Sequence, residues 1–537
     1  MSTAVRPPKP APKASDDAPE RRYVSSAEYA AQARAFRLDA RRRATGAPHR
    51  QSRRYIDVDY HHPLEDWLSN HLFRAFLGWL AADRPGGPHL KRVLQTYGDP
   101  KLSWADRLRY ALPHYLIRRF KGSVTDERFR QRVGQHGPTV LGLVNTAQSV
   151  ARFGLSAPQR FVAPLIIVWN FTQQCNLSCA HCYQSAGHGK QPDELNLRER
   201  LDVVDRAAAA FVPMIAFAGG EPTLDPDLLP VLRRCRERGI HTTIATNGTT
   251  LTSERVAAYA EAGVQYFELS LDSADPERHD RFRGRPGAWQ RTVQALKNIA
   301  DHPDPNVRAG LAACITQDNF GEVEDLIRLA IDLKCCAFCY FNFIPVGRGR
   351  GMTRHDLTPR QRDWLLRRLN DLAQSRQIGV LSTAPQFGRT CLAYAPIDGM
   401  VAASHLGAAG GEKARVVAKY VGGCGAGRCY MCIEPNGDCT PCVYMPHRVF
   451  GNVRQRSLAE LFRGNPYWDL LCDRDRRDGH CQVCCFKNYC GGCRARADAY
   501  YDDPAGADPG CLFNEDMWDQ LVAADAETAS PADIAAG

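Results

Sequence analysis

Three cysteines fall within eight residues of "NFTQQCNLSCAHCYQSAG", at Cys175, Cys179 and Cys182, with Tyr183 directly after. A disulfide would leave one thiol over. A tetrahedral zinc site takes four ligands and usually shows two paired CxxC units. Three close thiolates at C-x3-C-x2-C suit a metal centre that keeps one position for another molecule. A second, larger set of twelve cysteines lies between Cys424 and Cys511, and none precedes Cys175. The six others, Cys235, Cys314, Cys335, Cys336, Cys339 and Cys391, are scattered as small buried hydrophobes would be.

From 164 to 375 the chain alternates short apolar runs with amphipathic stretches such as "LNLRERLDVVDRAAAA" and "EVEDLIRLAIDL". The runs are "PLIIVWN" (164–170), "MIAFA" (214–218), "TTIA" (242–245), "YFELSL" (266–271), "AGLAACI" (309–315) and "CYFNFI" (339–344). Strands alternating with helices imply parallel βα units. Six units fall short of a closed eightfold barrel, so the expected fold is α/β, a partial (βα)6 TIM-like barrel. Such folds do their chemistry at the carboxyl ends of the strands. Those ends carry the three cysteines, "AGGEPTL" (218–224), "ATNG" with Thr246 and Asn247, "SLDS" (270–273) and "IPVGRGRG". Polar or glycine-rich groups therefore converge on one rim.

The 537 residues are 44% hydrophobic and 24% charged, ordinary for a soluble globular protein of two or three domains. No apolar run reaches the eighteen or so residues of a membrane span. The start "MSTAVRPPKPAPKASDDAPERR" has no secretory core segment. A reducing cytoplasm is expected, so the cysteines read as metal ligands before disulfides. Of the net charge of +10, residues 1–60 supply +6, from 13 Lys and Arg against 7 Asp and Glu. Residues 1–55 read as a disordered basic tail, and with no accompanying motif a nucleic-acid partner is not expected. Residues 56–160 read as helical. "WADRLRYALPHYLIRRFKGS", with Pro113 as a kink, is expected to pack on the next domain; peripheral contact with a membrane surface is the alternative.

The cysteine loop after the first strand, "GGEP" after the second and "SLD" after the fourth together resemble the radical S-adenosylmethionine (radical SAM) superfamily over roughly 164–375. The resemblance implies that Cys175, Cys179 and Cys182 bind a [4Fe–4S] cluster whose fourth iron is chelated by SAM. It implies that Gly219, Gly220, Glu221 and Pro222 hold the methionine amino group, with Thr246 and Asn247 on the same rim. It gives Ser270 and Asp272 to the ribose and Arg283 to the carboxylate. His181 stands where the family often has an aromatic residue. Reductive cleavage would yield a 5′-deoxyadenosyl radical that abstracts hydrogen from substrate, with electrons from a reductase, ferredoxin or flavodoxin.

The C-terminal cysteines resemble a SPASM domain, a module with two auxiliary clusters. Cys424 lies twelve residues before Gly437, Cys442 completes G-x4-C, and Cys481, Cys484 and Cys490 keep C-x2-C-x5-C. The resemblance assigns Cys424, Cys429, Cys442 and Cys493 to one cluster, with Cys432 the alternative to Cys429. It assigns Cys481, Cys484, Cys490 and Cys511 to the other. Cys432 and Cys439 are placed on the two strands of a hairpin turning at Asn436-Gly437, and Cys472 and Cys485 are bystanders. Structural zinc on Cys481/Cys484 and Cys490/Cys493 is the competing reading. The shortened "CGGC" and "FIPVGRG" resemble the branch with tetrapyrrole-modifying members. The implied domains are 161–378 (radical SAM core), 379–515 (a small Cys-rich α+β SPASM domain) and 516–537 (tail). The expected substrate is a peptide or protein side chain, ahead of a tetrapyrrole, another small molecule or a lipid. A non-catalytic iron–sulfur electron carrier is the contrary class, which would need no SAM pocket.

Overall fold

The computed structural model describes residues 63–121, 124–394, 399–402, 408–410 and 412–528. The basic tail expected at 1–55 lies outside them. Six parallel strands appear where the apolar runs place them: β1 (Ile166–Thr172), β2 (Met214–Gly219), β3 (His241–Thr246), β4 (Tyr266–Ser270), β5 (Arg308–Ile315) and β6 (Ala337–Asn342). Each pairs with the next in sequence order, and the helices between them supply the crossovers. No pairing joins the ends of the sheet among the described residues, so the barrel is partial.

Strand residues alternate between two environments. Ile167, Trp169, Ile215, Phe217, Ile244, Phe267, Leu269 and Leu311 are fully buried against the helices in the main core. Their neighbours Val168, Ala216, Ala218, Thr243, Ala245, Ala312 and Cys314 face a central cavity. Because most inward residues are small, the barrel stays hollow. The crossover helices are fixed at their starts by capping boxes: Asn196 with Glu199 begins Leu197–Ala209, and Thr358 with Gln361 begins Pro359–Ser375.

The sheet is wider than six strands. β7 (Gly379–Ser382) adds parallel to β6, so the core extends past the boundary expected at 378. A small hairpin, β8 (Met400–Ala402) and β9 (Ala408–Gly410), follows. β10 (Tyr430–Ile433) then lies parallel to β1, and β11 (Asp438–Thr440) and β12 (Gly451–Asn452) continue outward. The cysteine-rich domain thus extends the barrel sheet on its β1 edge. The hairpin turns where expected, with Gly437 at φ +87°, Cys432 on β10 and Cys439 on β11.

Three expectations change. Pro113 does not kink its helix: the break falls at Tyr110, between helices Trp104–Arg109 and Ala111–Phe120. Pro113 sits in the first turn of the second helix, where a missing N–H costs little. The tail expected at 516–537 begins with a helix, Glu515–Thr528, whose buried Trp518 meets Tyr500 at 5.9 Å. The helices at 104–120 do not bury their apolar stripe on the next domain: Trp104, Leu108, Leu112 and Tyr115 are exposed.

Candidate active site

The cavity, about 330 Å³, opens at the carboxyl ends of the strands. Cys175, Cys179 and Cys182 line it together with Gly219, Gly220, Thr246, Asn247, Ser270 and Arg283. The cysteine loop is tied down from several sides. Cys175 N–H donates to the Gly187 carbonyl at 2.6 Å, and Ser178 and Ala180 donate to Arg283 and Phe282. Arg348 donates from Nε to the Cys179 carbonyl and from Nη1 to the Ala186 carbonyl. Gly347, at φ +60°, lets this strap approach, because a Cβ there would run into the Cys182 and Tyr183 carbonyls. The His181 ring stacks on Phe282 at 4.4 Å and 7°. Burial pulls its pKa down to about 4, so the ring is neutral at pH 7.

Glu221, Pro222 and Asp272, expected to face SAM, lie behind the cavity wall. Glu221 Oε1 accepts from Thr246 Oγ1 (2.7 Å), Thr223 Oγ1 (2.5 Å) and Thr223 N–H (3.1 Å). Its Oε2 accepts from Asn247 N–H at 2.7 Å. One buried carboxylate therefore joins the loops after β2 and β3, and its oxygens are spent on the protein. Asp272 accepts from Arg283 Nε at 2.5 Å and from Cys314 N–H at 2.9 Å. Against the cost of burial, the Arg283 guanidinium holds the Asp272 carboxyl below its usual range. Arg283 Nη1 also reaches the Cys179 sulfur at 3.7 Å, so it is committed to bracing the cysteine loop. Gly220 is required by space: a Cβ would collide with the Gln174 carbonyl. Behind this rim, buried Arg200 ties the Phe171 carbonyl to Asp225 and Asp227.

The same cavity reaches the C-terminal domain, where Cys424, Cys442 and Cys493 line it. Cys429 and Cys432 are both buried and neither is among the lining, although Tyr430 between them is. The Cys432 thiol donates to Glu434 Oε1 at 3.3 Å and accepts from Asn170 Nδ2 at 3.4 Å. Asn170 and Gln184 donate to Glu434 Oε2, and Tyr183 O–H donates to Asn170, so β10 is stitched to the cysteine loop. Cys481, Cys484, Cys490 and Cys511 line a second, separate small cavity beside Gly491 and Gly492.

Two features test whether these cysteines fit iron–sulfur clusters. Sulfurs around a tetrahedral zinc sit roughly 3.8 Å apart, given Zn–S bonds of about 2.3 Å. Among the described residues, no cysteine trio has its sulfurs within 4.8 Å of one another; the one set that close is His447, Asp498 and Asp502. The described cysteines are therefore not drawn together at zinc-ligand spacing. The second feature is charge. Arg474 and Arg477 are buried and donate to the carbonyls of Cys424, Leu470 and Leu471, yet Arg474 Nε and Nη1 and Arg477 Nε have no partner. Burial and neighbouring arginines pull their pKa values down to about 10 and about 8. Such buried cations call for an anion, which a thiolate-ligated metal centre of either kind provides.

Residues not singled out from the sequence complete the chamber: Tyr183, Tyr266, Glu268, Tyr340, Phe341 and Tyr444. The rings of Tyr183 and Tyr444, next to Cys182 and two residues past Cys442, lie 5.2 Å apart. Tyr266, Glu268 and Ser270 alternate along β4 and all face inward, a signal present in "YFELS". Burial pushes the Glu268 carboxyl up to about 7. An acid with a raised folded-state pKa stabilises the fold below its unfolded value, and that stability is lost as pH rises through the folded value. Stability should therefore fall by up to about 3 kcal/mol between roughly pH 4.5 and 7. Glu268→Gln should flatten that fall in a melting-temperature series. Parallel curves for the two proteins would show that Glu268 is ionised throughout.

The family profile of the radical SAM superfamily matches residues 169–330, and that of the SPASM iron–sulfur cluster-binding domain matches 424–485. The AdoMet-dependent heme synthase of Methanosarcina barkeri is 30% identical over 354 residues, covering 65% of this chain and 97% of the relative. The PqqA peptide cyclase of Rhizobium meliloti is 26% identical over 359 residues, covering 66% and 88%. The fold matches that of Streptococcus suis SuiB, solved bound to S-adenosylmethionine, with a TM-score of 0.54 and 17% identity over 76% of this chain and 88% of that one. The chain belongs to the radical SAM superfamily, in its SPASM-bearing branch. It is an enzyme that uses [4Fe–4S] clusters and SAM. Among the described residues no helix is long and apolar enough to cross a membrane.

Proposed function

We propose that this enzyme modifies the side chain of a tetrapyrrole bearing carboxylates. The observation that carries the reading is the chamber beside the three cysteines, walled by Tyr183, Tyr340, Phe341 and Tyr444 with Arg348 at its rim. Aromatic walls suit a flat macrocycle, and a guanidinium suits its carboxylates. The heme synthase relative and the "CGGC" and "FIPVGRG" segments support the same substrate class.

In this reading Cys175, Cys179 and Cys182 hold the SAM-binding cluster. Gly219, Gly220, Thr246 and Asn247 frame the methionine end, and Ser270 meets the ribose. Glu221 shapes that frame, while Asp272 and Arg283 brace it. When bound, SAM and its cluster supply the 5′-deoxyadenosyl radical that removes a substrate hydrogen. The narrow, largely apolar barrel excludes water from that step. Glu268, protonated near neutral pH, offers a proton donor to a polar substrate group deep in the chamber. Cys424, Cys429, Cys442 and Cys493 hold one auxiliary cluster, and Cys481, Cys484, Cys490 and Cys511 the other. Electrons enter from a reductase, ferredoxin or flavodoxin.

Ser270→Ala should weaken SAM binding by roughly twofold to tenfold, the loss of one neutral hydrogen bond of about 0.5–1.5 kcal/mol, and Glu221→Ala should weaken it indirectly, by loosening the loops after β2 and β3. Only Glu221→Ala should also lower the melting temperature, because four donors lose their acceptor. Unchanged affinity by calorimetry in both variants would mean the pocket is misplaced.

The substrate class is tested by anaerobic titration of the reconstituted enzyme with iron coproporphyrin and metal-free carboxylated porphyrins. A saturable shift of the main porphyrin absorption band is expected, followed by a SAM-dependent change in product mass. No shift with any of them would overturn the reading. The second reading, modification of a peptide, is favoured by the PqqA cyclase relative and by the mycofactocin maturase of Mycobacterium ulcerans, 28% identical over 360 residues.

A further inference from the structure

We infer that the outer face of the helices at 104–120 is a docking surface for an anionic lipid bilayer. Trp104 and Leu108 on the first of these helices, and Leu112 and Tyr115 on the second, recur every three or four residues along the sequence. They are 80%, 73%, 58% and 62% exposed. Their exposure does not reflect an unfinished core. The opposite side of the same helices is occupied: Tyr110 is buried with Leu80 and Val93, and Ile117 packs against that cluster. An apolar face of this kind, kept in water beside a completed core, marks an interaction site.

Charge identifies the occupant. Between 101 and 120 stand Lys101, Arg107, Arg109, Arg118 and Arg119, against the single acid Asp106, while Lys121 just beyond is paired with Asp126 at 3.1 Å. Asp106 is itself engaged by Arg92 at 3.5 Å. Arg107 and Arg109 flank Leu108, and Arg118 and Arg119 follow Tyr115; all four are exposed. Apolar residues with tryptophan and tyrosine at the ends, bordered by arginines, match the boundary between acyl chains and anionic headgroups. Cations near such a surface are attracted within a Debye length, and salt screens them. Trp67, Leu72 and Trp79 of the same helical layer are also half or more exposed, so insertion need not rest on four side chains alone. Neither site cavity is lined by any residue of this layer.

The test is flotation of the full chain with vesicles of phosphatidylcholine alone and of phosphatidylcholine containing about one-third phosphatidylglycerol. Binding to the anionic vesicles is expected, at least about tenfold weaker to the neutral ones and weakened by high salt. Two variants separate the contributions. Trp104→Ser/Leu108→Ser/Leu112→Ser/Tyr115→Ser should lose at least about tenfold of the anionic binding. Arg109→Glu/Arg119→Glu should lose the preference for anionic lipid. Both should keep the wild-type melting temperature and SAM cleavage, because the changed side chains face solvent. Absence of wild-type binding, or equal binding to both vesicles, overturns the proposal. So does a wild-type dimer in light scattering that the serine variant dissolves without any lipid binding, which would give the stripe to a second copy.

Discussion

Replacing Cys175, Cys179 and Cys182 together by alanine is expected to abolish reductive SAM cleavage and remove about a third of the bound iron. The reconstituted chain should hold about twelve iron atoms, four in each of three clusters, and the variant about eight. The three cysteines share one loop on the cavity rim. Cys314 and Cys339, also on the barrel wall, sit on β5 and β6, and the Cys314 N–H is held by Asp272. The C-terminal cysteines have their own supports, including buried Arg428, Arg474 and Arg494, none of which touches the cysteine loop. Their iron should therefore survive. The readouts are 5′-deoxyadenosine by chromatography, iron by metal analysis and the reduced-state electron-paramagnetic spectrum. Undiminished cleavage in the triple variant would sink the assignment. Loss of all iron would show that the two halves fold as one unit, as the joined sheet makes conceivable, and single variants would then be needed to separate them.

The six central strands were readable because buried parallel strands appear as continuous apolar runs between helices. Their register, and the inward set Tyr266, Glu268 and Ser270, follow from period-two alternation once one residue is known to face the site. β7 was missed because "GVLS" is four residues long and resembles any helix-to-loop passage. The pairing of β10 with β1 could not be read at all. Ile166 meets Tyr430 across more than 250 residues of chain, and nothing local in either strand names its partner. The cysteines were legible from spacing because metal ligation restricts spacing. The direction of Glu221 was not, because "GGEP" is equally compatible with a carboxylate turned toward SAM or one turned into the protein. Three threonine and asparagine donors, from two loops, decided it. The exposed stripe at 104–120 shows the opposite limit. Its periodicity is plain in the sequence, but amphipathic periodicity states only that a helix has two faces, not which one is covered.

For the fourth ligand of the first auxiliary cluster spacing left two choices, and Cys429 is the one we propose. Cys429→Ala is expected to lower iron by up to about four atoms per chain, or to change the auxiliary electron-paramagnetic signal if a water takes the vacated position. Cys432→Ala is expected to do neither. The Cys432 thiol lies on β10 between Glu434 and Asn170, with its hydrogen directed at a carboxylate. That thiol is already held by the protein's own hydrogen bonds. Cys429 lies in the turn before β10, where Gly425 passes so close that a Cβ would stand 2.8 Å from its sulfur. That turn also brings Cys424 and Ala426 to the cavity wall, near Cys442 and Cys493. The cost of Cys432→Ala should instead appear in folding: a buried thiol is removed, and Glu434 and Asn170 each lose a partner, together about 1–3 kcal/mol. A lower melting temperature with full iron is thus the expected signature. Iron loss in the Cys432 variant with retention in the Cys429 variant would exchange the two roles. About four iron with two zinc ions in the wild-type chain would return the C-terminal domain to structural zinc.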